Sequence, residues 1–133
     1  MNPPAANFPK RLLLSIIELG GYPDFKPLYR QAGYEVESAA SVRKALGLLK
    51  KLNPDVIVAE FNFQSDFRDR TSSLESLLAV VQRTPKTRVI VFYEKDHAHQ
   101  LTRLTSQYPI HETLMFPIDT AKLEQSLQRA AAG

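Results

Sequence analysis

The histidines and serines of this 133-residue chain are the first candidates for chemistry, and their spacing assembles no site. His97 and His99 are two apart, so on a helix they point in different directions, and no cysteine or carboxylate cluster completes a metal-ligand set. No serine stands in a Gly-x-Ser-x-Gly elbow, and the histidines lack a marked acid partner, which argues against a hydrolase triad. Gly20-Gly21 lacks the third glycine of a dinucleotide loop and the lysine of a phosphate loop. Cysteine is absent, which excludes disulfides, thiolate metal sites and a sulfur nucleophile, and agrees with a reducing compartment such as the cytoplasm. The expectation is a cytoplasmic protein that is not an enzyme, with no cofactor, metal or small-molecule substrate.

Charge names no partner either. Seventeen Lys and Arg against fourteen Asp and Glu leave a net +3, which creates only a weak field. Lys50-Lys51, Arg68, Arg70, Arg83, Lys86 and Arg88 are scattered among different elements, whereas a nucleic-acid footprint gathers its charge on one face. No apolar run approaches the roughly 18 residues of a membrane span, so no membrane association is expected.

The elements that must position any site follow from hydrophobic patterning. Residues 1–9, with three prolines, read as a disordered arm, and residues 10–133 as one domain. Leu12-Leu13-Leu14-Ser15-Ile16-Ile17 is a strand buried on both faces. Phe25, Leu28, Tyr29 and Ala32 recur at helical spacing, with Pro27 tolerated in the first turn and Gly33 placed as the residue that ends the helix. Tyr34 to Ser38 alternates like a strand. Ser41 caps a helix bearing Val42, Ala45, Leu46, Leu49 and Leu52, closed by Lys50 and Lys51. Asp55 to Glu60 is a second buried strand. Ser72-x-x-Glu75 reads as a capping box ahead of Leu74, Leu77, Leu78 and Val81. Arg88 to Tyr93 is a strand, His97 to Ser106 a helix, Thr113 to Phe116 a short strand and Thr120 to Ala130 the last helix. Five strands alternating with five helices imply an α/β fold on a parallel sheet.

That alternation, with Ser41-Val42-Arg43-Lys44-Ala45-Leu46 ahead of Pro54-Asp55-Val56-Ile57-Val58-Ala59-Glu60 and with Phe116-Pro117 after the fifth strand, resembles response-regulator receiver (CheY-like) domains over Lys10 to Ala130. The resemblance implies a flavodoxin-like three-layer sandwich with strand order 2-1-3-4-5 and a cis bond before Pro117. It also implies a site at the carboxyl ends of the strands, and there the chain departs from the family. The phosphoacceptor aspartate is replaced by Glu60. The acidic pair that holds Mg²⁺ falls on Ile16 and Ile17, leaving Glu18 as the one nearby acid. The phosphate-contacting lysine is Phe116, before Pro117. The switch residues, a Ser or Thr and an aromatic, are exchanged for Tyr93 and Thr113, which are expected to lie side by side as a static pair.

These departures describe a degenerate pocket, and the resemblance then implies a pseudo-receiver: a signalling module of a bacterial two-component type that works by binding another protein, or itself. The face of the fourth helix, fifth strand and fifth helix is the expected contact surface, with Leu101, Leu104, Thr113, Met115, Lys122 and Gln125. Two alternatives stay open: an atypical receiver that is still phosphorylated, with Glu18 recruiting the cation, and a small nucleic-acid-binding domain. Glu60 is either a permanent imitation of a phosphorylated aspartate or a solvated carboxylate paired with Arg68 or Arg70. Phe61, Phe63 and Phe67 either fill the lost metal pocket, the favoured reading, or stand out as anchors for a partner.

Overall fold

The computed structural model describes residues 11–17, 23–61, 74–84 and 86–132. The arm over 1–9, Glu18, Gly20-Gly21, Phe63, Phe67, Arg68, Arg70 and the Ser72 cap lie outside them. In chain order the elements are β1 (Arg11–Ile16), α1 (Lys26–Gln31), β2 (Tyr34–Ala39), α2 (Val42–Leu49), β3 (Val56–Glu60) and α3 (Leu74–Val81). There follow β4 (Arg88–Tyr93), a 3-10 turn (Lys95–His97), α4 (Ala98–Thr105), β5 (Glu112–Met115) and α5 (Thr120–Ala132).

The five strands form one parallel sheet in the order β2-β1-β3-β4-β5. Alternation along each strand divides the core in two. Leu14, Ile16, Ile57, Ala59, Val89 and Val91 face α2, α3 and α4, where Ala45, Leu77 and Leu104 meet them. Leu13, Val56, Val58, Ile90 and Phe92 face α1 and α5, meeting Tyr29, Leu123 and Leu127. Both faces of the inner strands are therefore apolar, which is why they read as unbroken hydrophobic runs. The flavodoxin-like three-layer sandwich is the architecture observed.

Local signals set the element ends. Ser41 Oγ accepts the Lys44 backbone N–H at 3.1 Å and caps α2, a contact that stabilises a helix by about 1 kcal/mol. Gly33 has φ +98°, a left-handed geometry that glycine adopts without a Cβ penalty just after a helix. Pro27 sits in the first turn of α1, where no helical N–H is lost. Helix α2 ends at Leu49 rather than continuing through Leu52, and Lys50 and Lys51 close it through bonds to the Gly47 and Leu48 carbonyls.

Pro54-Asp55 is architectural. Asp55 donates its N–H to the Leu12 carbonyl and accepts the Leu12 N–H on its carboxylate, both at 2.8 Å, while its own carbonyl takes the Arg88 N–H. One residue thus joins the amino ends of three strands, with Thr87 Oγ1 donating to the Pro54 carbonyl beside it.

Two tyrosines on the α1/α5 side tie stability to alkaline pH. The Tyr29 hydroxyl is pushed well above its ordinary range by burial and, secondarily, by the negative charge of Asp24. Burial also raises Tyr34, opposed by Arg11 and aided by Asp55, and its hydroxyl donates to the Leu127 carbonyl at 3.1 Å. The folded state holds these phenolic protons more tightly than the unfolded chain does. Their contribution is therefore complete below about pH 10 and is lost as pH rises beyond it. Urea unfolding between about pH 9 and pH 11 should show a falling midpoint, and Tyr29→Phe should flatten that fall; an unchanged slope would contradict the assignment.

Candidate functional site

Open parallel sheets place their sites beyond the carboxyl ends of the strands, and among the described residues Ile16, Ile17 and Phe116 stand there beside the Glu60 carboxylate. Ile16 ends β1 between Ala39 of β2 and Ala59 of β3 and is 1% exposed. Ile17 continues the chain, its N–H donating to the Ala39 carbonyl. Successive strand residues face opposite sides, so Ile16 enters the core under α2 and α3, and Ile17 joins the one under α1.

Glu60 ends β3. The β1–β3 register, extended by one residue beyond the Ile16–Ala59 pair, sets it opposite Ile17; on its other side it pairs with Phe92 of β4. It is 5% exposed, which corrects the expectation of a solvated strand-end carboxylate: the strand ends inside the fold, flanked by apolar neighbours. Its expected partners Arg68 and Arg70 are outside the described residues.

Tyr93 closes β4, half-buried. The parallel register pairs it with Met115 and pairs Thr113 with Val91, so the side-by-side Tyr93–Thr113 arrangement is corrected to a diagonal one, offset by about 6–7 Å along the strand. Phe116 follows β5 with its N–H donating to the Tyr93 carbonyl at 2.8 Å, and the bond to Pro117 is cis. Its side chain is 41% exposed, so it stands at the rim and does not seal a pocket. Phe61 is buried at 2% exposure among the α2–α4 contacts, its ring 6.4 Å from that of His97. That corrects the partner-anchor reading for this residue; the void it fills is the core behind the sheet, on the side of β3 opposite Glu60.

The strand order β2-β1-β3-β4-β5 with helices on both faces is the feature that solved structures share with the chain. No protein-family model matches the chain, and no curated protein matches it. Solved structures do. A response regulator receiver domain protein from Clostridium thermocellum superposes with a TM-score of 0.73 at 18% identity, covering 92% of this chain and 94% of that one. A response regulator receiver protein from Sinorhizobium medicae gives 0.72 at 19%, covering 93% and 96%. The chemotaxis response regulator CheY4 of Vibrio cholerae gives 0.68 at 20%, covering 92% and 99%.

The chain has the CheY-like receiver fold. In a receiver fold Ile16, Ile17, Glu60, Tyr93 and Phe116 all stand on the carboxyl-end rim, as their places at the ends of β1, β3, β4 and β5 require. Ile16 and Ile17 offer no side-chain oxygen, the kind of ligand a carboxylate would give a hard cation such as Mg²⁺. Among the described residues no group of three His, Cys, Asp or Glu is gathered for a metal. None of their helices is long and apolar enough to cross a membrane.

The face of α4, β5 and α5 also needs correction. Leu101 and Leu104 are 4% and 1% exposed and belong to the core, because the apolar stripe of α4 is what docks that helix on the sheet. Met115, Lys122 and Gln125 are exposed and Thr113 half-buried. Behind them α5 is clamped to β5: the Ser126 hydroxyl donates to Glu112 at 3.0 Å, Arg129 pairs with the same carboxylate, and the His111 ring bonds the Ser126 carbonyl.

Proposed function

We propose that this receiver-fold chain is a pseudo-receiver, a cytoplasmic interaction module of a bacterial two-component-type system, in which binding to a signalling protein or to a second copy takes the place of phosphorylation. The observation that carries this reading is the pairing around Glu60: a carboxylate sunk at the end of β3 between Phe92 and the Ile17 position, with Ile16 closing the strand beside it. Phosphoryl transfer is catalysed by positioning and by positive charge on the moving group. A glutamate carries its oxygens one methylene farther than an aspartate, and errors of about 1 Å cost on the order of a hundredfold in rate. With Phe116 at the rim, that position supplies no ammonium to the phosphoryl oxygens.

The partner surface under this reading is the exposed part of α4, β5 and α5, where Met115 and Phe116 present apolar bulk at 47% and 41% exposure and Lys122 and Gln125 form a polar border. The decisive test is incubation with acetyl phosphate and Mg²⁺ followed by intact-mass measurement. The expected spectrum has no species heavier by one phosphoryl group; an adduct that disappears in Glu60→Gln would refute the reading.

A further inference from the structure

A cavity of about 910 Å³ opens at the carboxyl ends of β1 and β2, where α1 begins and α2 runs past. Its volume falls at the upper end of the range typical of small-molecule sites. The half-buried Ile17 and Leu48 give it apolar lining, and the exposed Lys26, Lys44 and Lys51 also line it, from two helices and the turn that closes α2. None of the three ammonium groups has an ion-pair partner among the described residues. The one lining carboxylate among them, Asp24, accepts the Lys26 backbone N–H at 3.0 Å.

Gly47 is the second observation. It lies in the middle of α2, three residues from Lys44 and four from Lys51, on the helix face that lines the cavity. Glycine there costs the helix about 1 kcal/mol relative to alanine. Local packing does not demand it: φ is not positive, and a Cβ would meet nothing within 4 Å. What the missing side chain leaves is open space between two lysines.

We propose that this cavity is a binding site for a small organic anion of about mononucleotide size, its apolar body set against Ile17 and Leu48 and its phosphate or carboxylate held by Lys44, Lys51 and Lys26. The rim position agrees with where parallel sheets receive ligands, and the charge comes from separate elements, so no contiguous sequence motif announces it. The site adjoins the Glu60 rim through Ile17 and Phe92, but its test reads the lysines and not phosphorylation, so it can fail without the pseudo-receiver reading failing.

The test is a fluorescence titration with anilinonaphthalene sulfonate, an apolar anion. Saturable one-to-one binding is expected, with AMP competing and adenosine not. Lys44→Glu/Lys51→Glu should weaken the dye by about tenfold or more, because two attractive charges become repulsive. Gly47→Leu should abolish binding by filling the gap, while its urea midpoint stays at or above that of the parent, leucine being the better helix former. Dye binding undiminished in both variants, or adenosine competing as well as AMP, overturns the proposal.

Discussion

Phe92→Ala is expected to lower unfolding stability by about 4 kcal/mol, read as a shift in the urea midpoint. Phe92 lies in β4 between β3 and β5, 1% exposed. Its ring meets Phe25 edge-on, with centroids 5.8 Å apart at 77°, an arrangement that adds about 1 kcal/mol to area burial alone. Phe25 in turn lies 6.3 Å from Tyr29, so one truncation loosens both the sheet and its contact with α1. Against a typical domain stability of about 5–15 kcal/mol the loss is large enough to approach the unfolding threshold. Phe92→Leu keeps most of the volume and should lose less than half as much. Equal losses for the two substitutions would contradict the packing account.

Ile16→Asp, which would reinstate an acid where receivers carry one, should cost about 3–5 kcal/mol without conferring metal binding. The Ile16 side chain is enclosed under α2 and α3 and its strand neighbours are Ala39 and Ala59. A carboxyl placed there has apolar surroundings and is driven to stay protonated. Its folded pKa is then raised above the unfolded value, so the deficit should be smallest near pH 4 and grow as pH rises, by up to about 1.4 kcal/mol per unit until the group ionises in the fold. Ile16→Val, which preserves the apolar character, should cost only about 1 kcal/mol. A stability of Ile16→Asp independent of pH, or equal to that of Ile16→Val, would mean that the position is solvated. The expected result would show that this strand end is built into the packing, so that an acid introduced there meets the core first.

Much of the architecture was legible in the chain because local and global signals agree. The buried strands announce themselves as Val, Ile and Leu runs, Ser41 stands where it bonds Lys44, and Gly33 takes the one positive φ observed among the described residues. The strand-end positions of Ile16, Glu60 and Tyr93 were legible as well, and Phe116 follows directly on β5, one residue beyond its end. Three features were not. The depth of Glu60 depends on Phe92 and the β1 neighbour, which are distant in sequence and meet only through strand register. The offset between Tyr93 and Thr113 is likewise a matter of β4–β5 register, which no single strand encodes. Leu101 and Leu104 carried their own signal, an apolar pair three apart on an otherwise polar helix, and that spacing points to the core before it points to a partner. The lysines around the β1–β2 cavity escaped because they are charge-scattered along the chain and gathered only by the fold.

The central claim is that a rim rebuilt in hydrocarbon cannot assemble a divalent cation and a phosphoryl group beside Glu60. The most direct measurement is the amide ¹H–¹⁵N spectrum of the protein titrated with Mg²⁺ and beryllofluoride, a mimic of the bound phosphoryl group. The account predicts superimposable spectra at the ends of β1, β3, β4 and β5, including the amides of Ile17, Phe61 and Phe116. Saturable shifts that centre on Glu60 and require both reagents would contradict it.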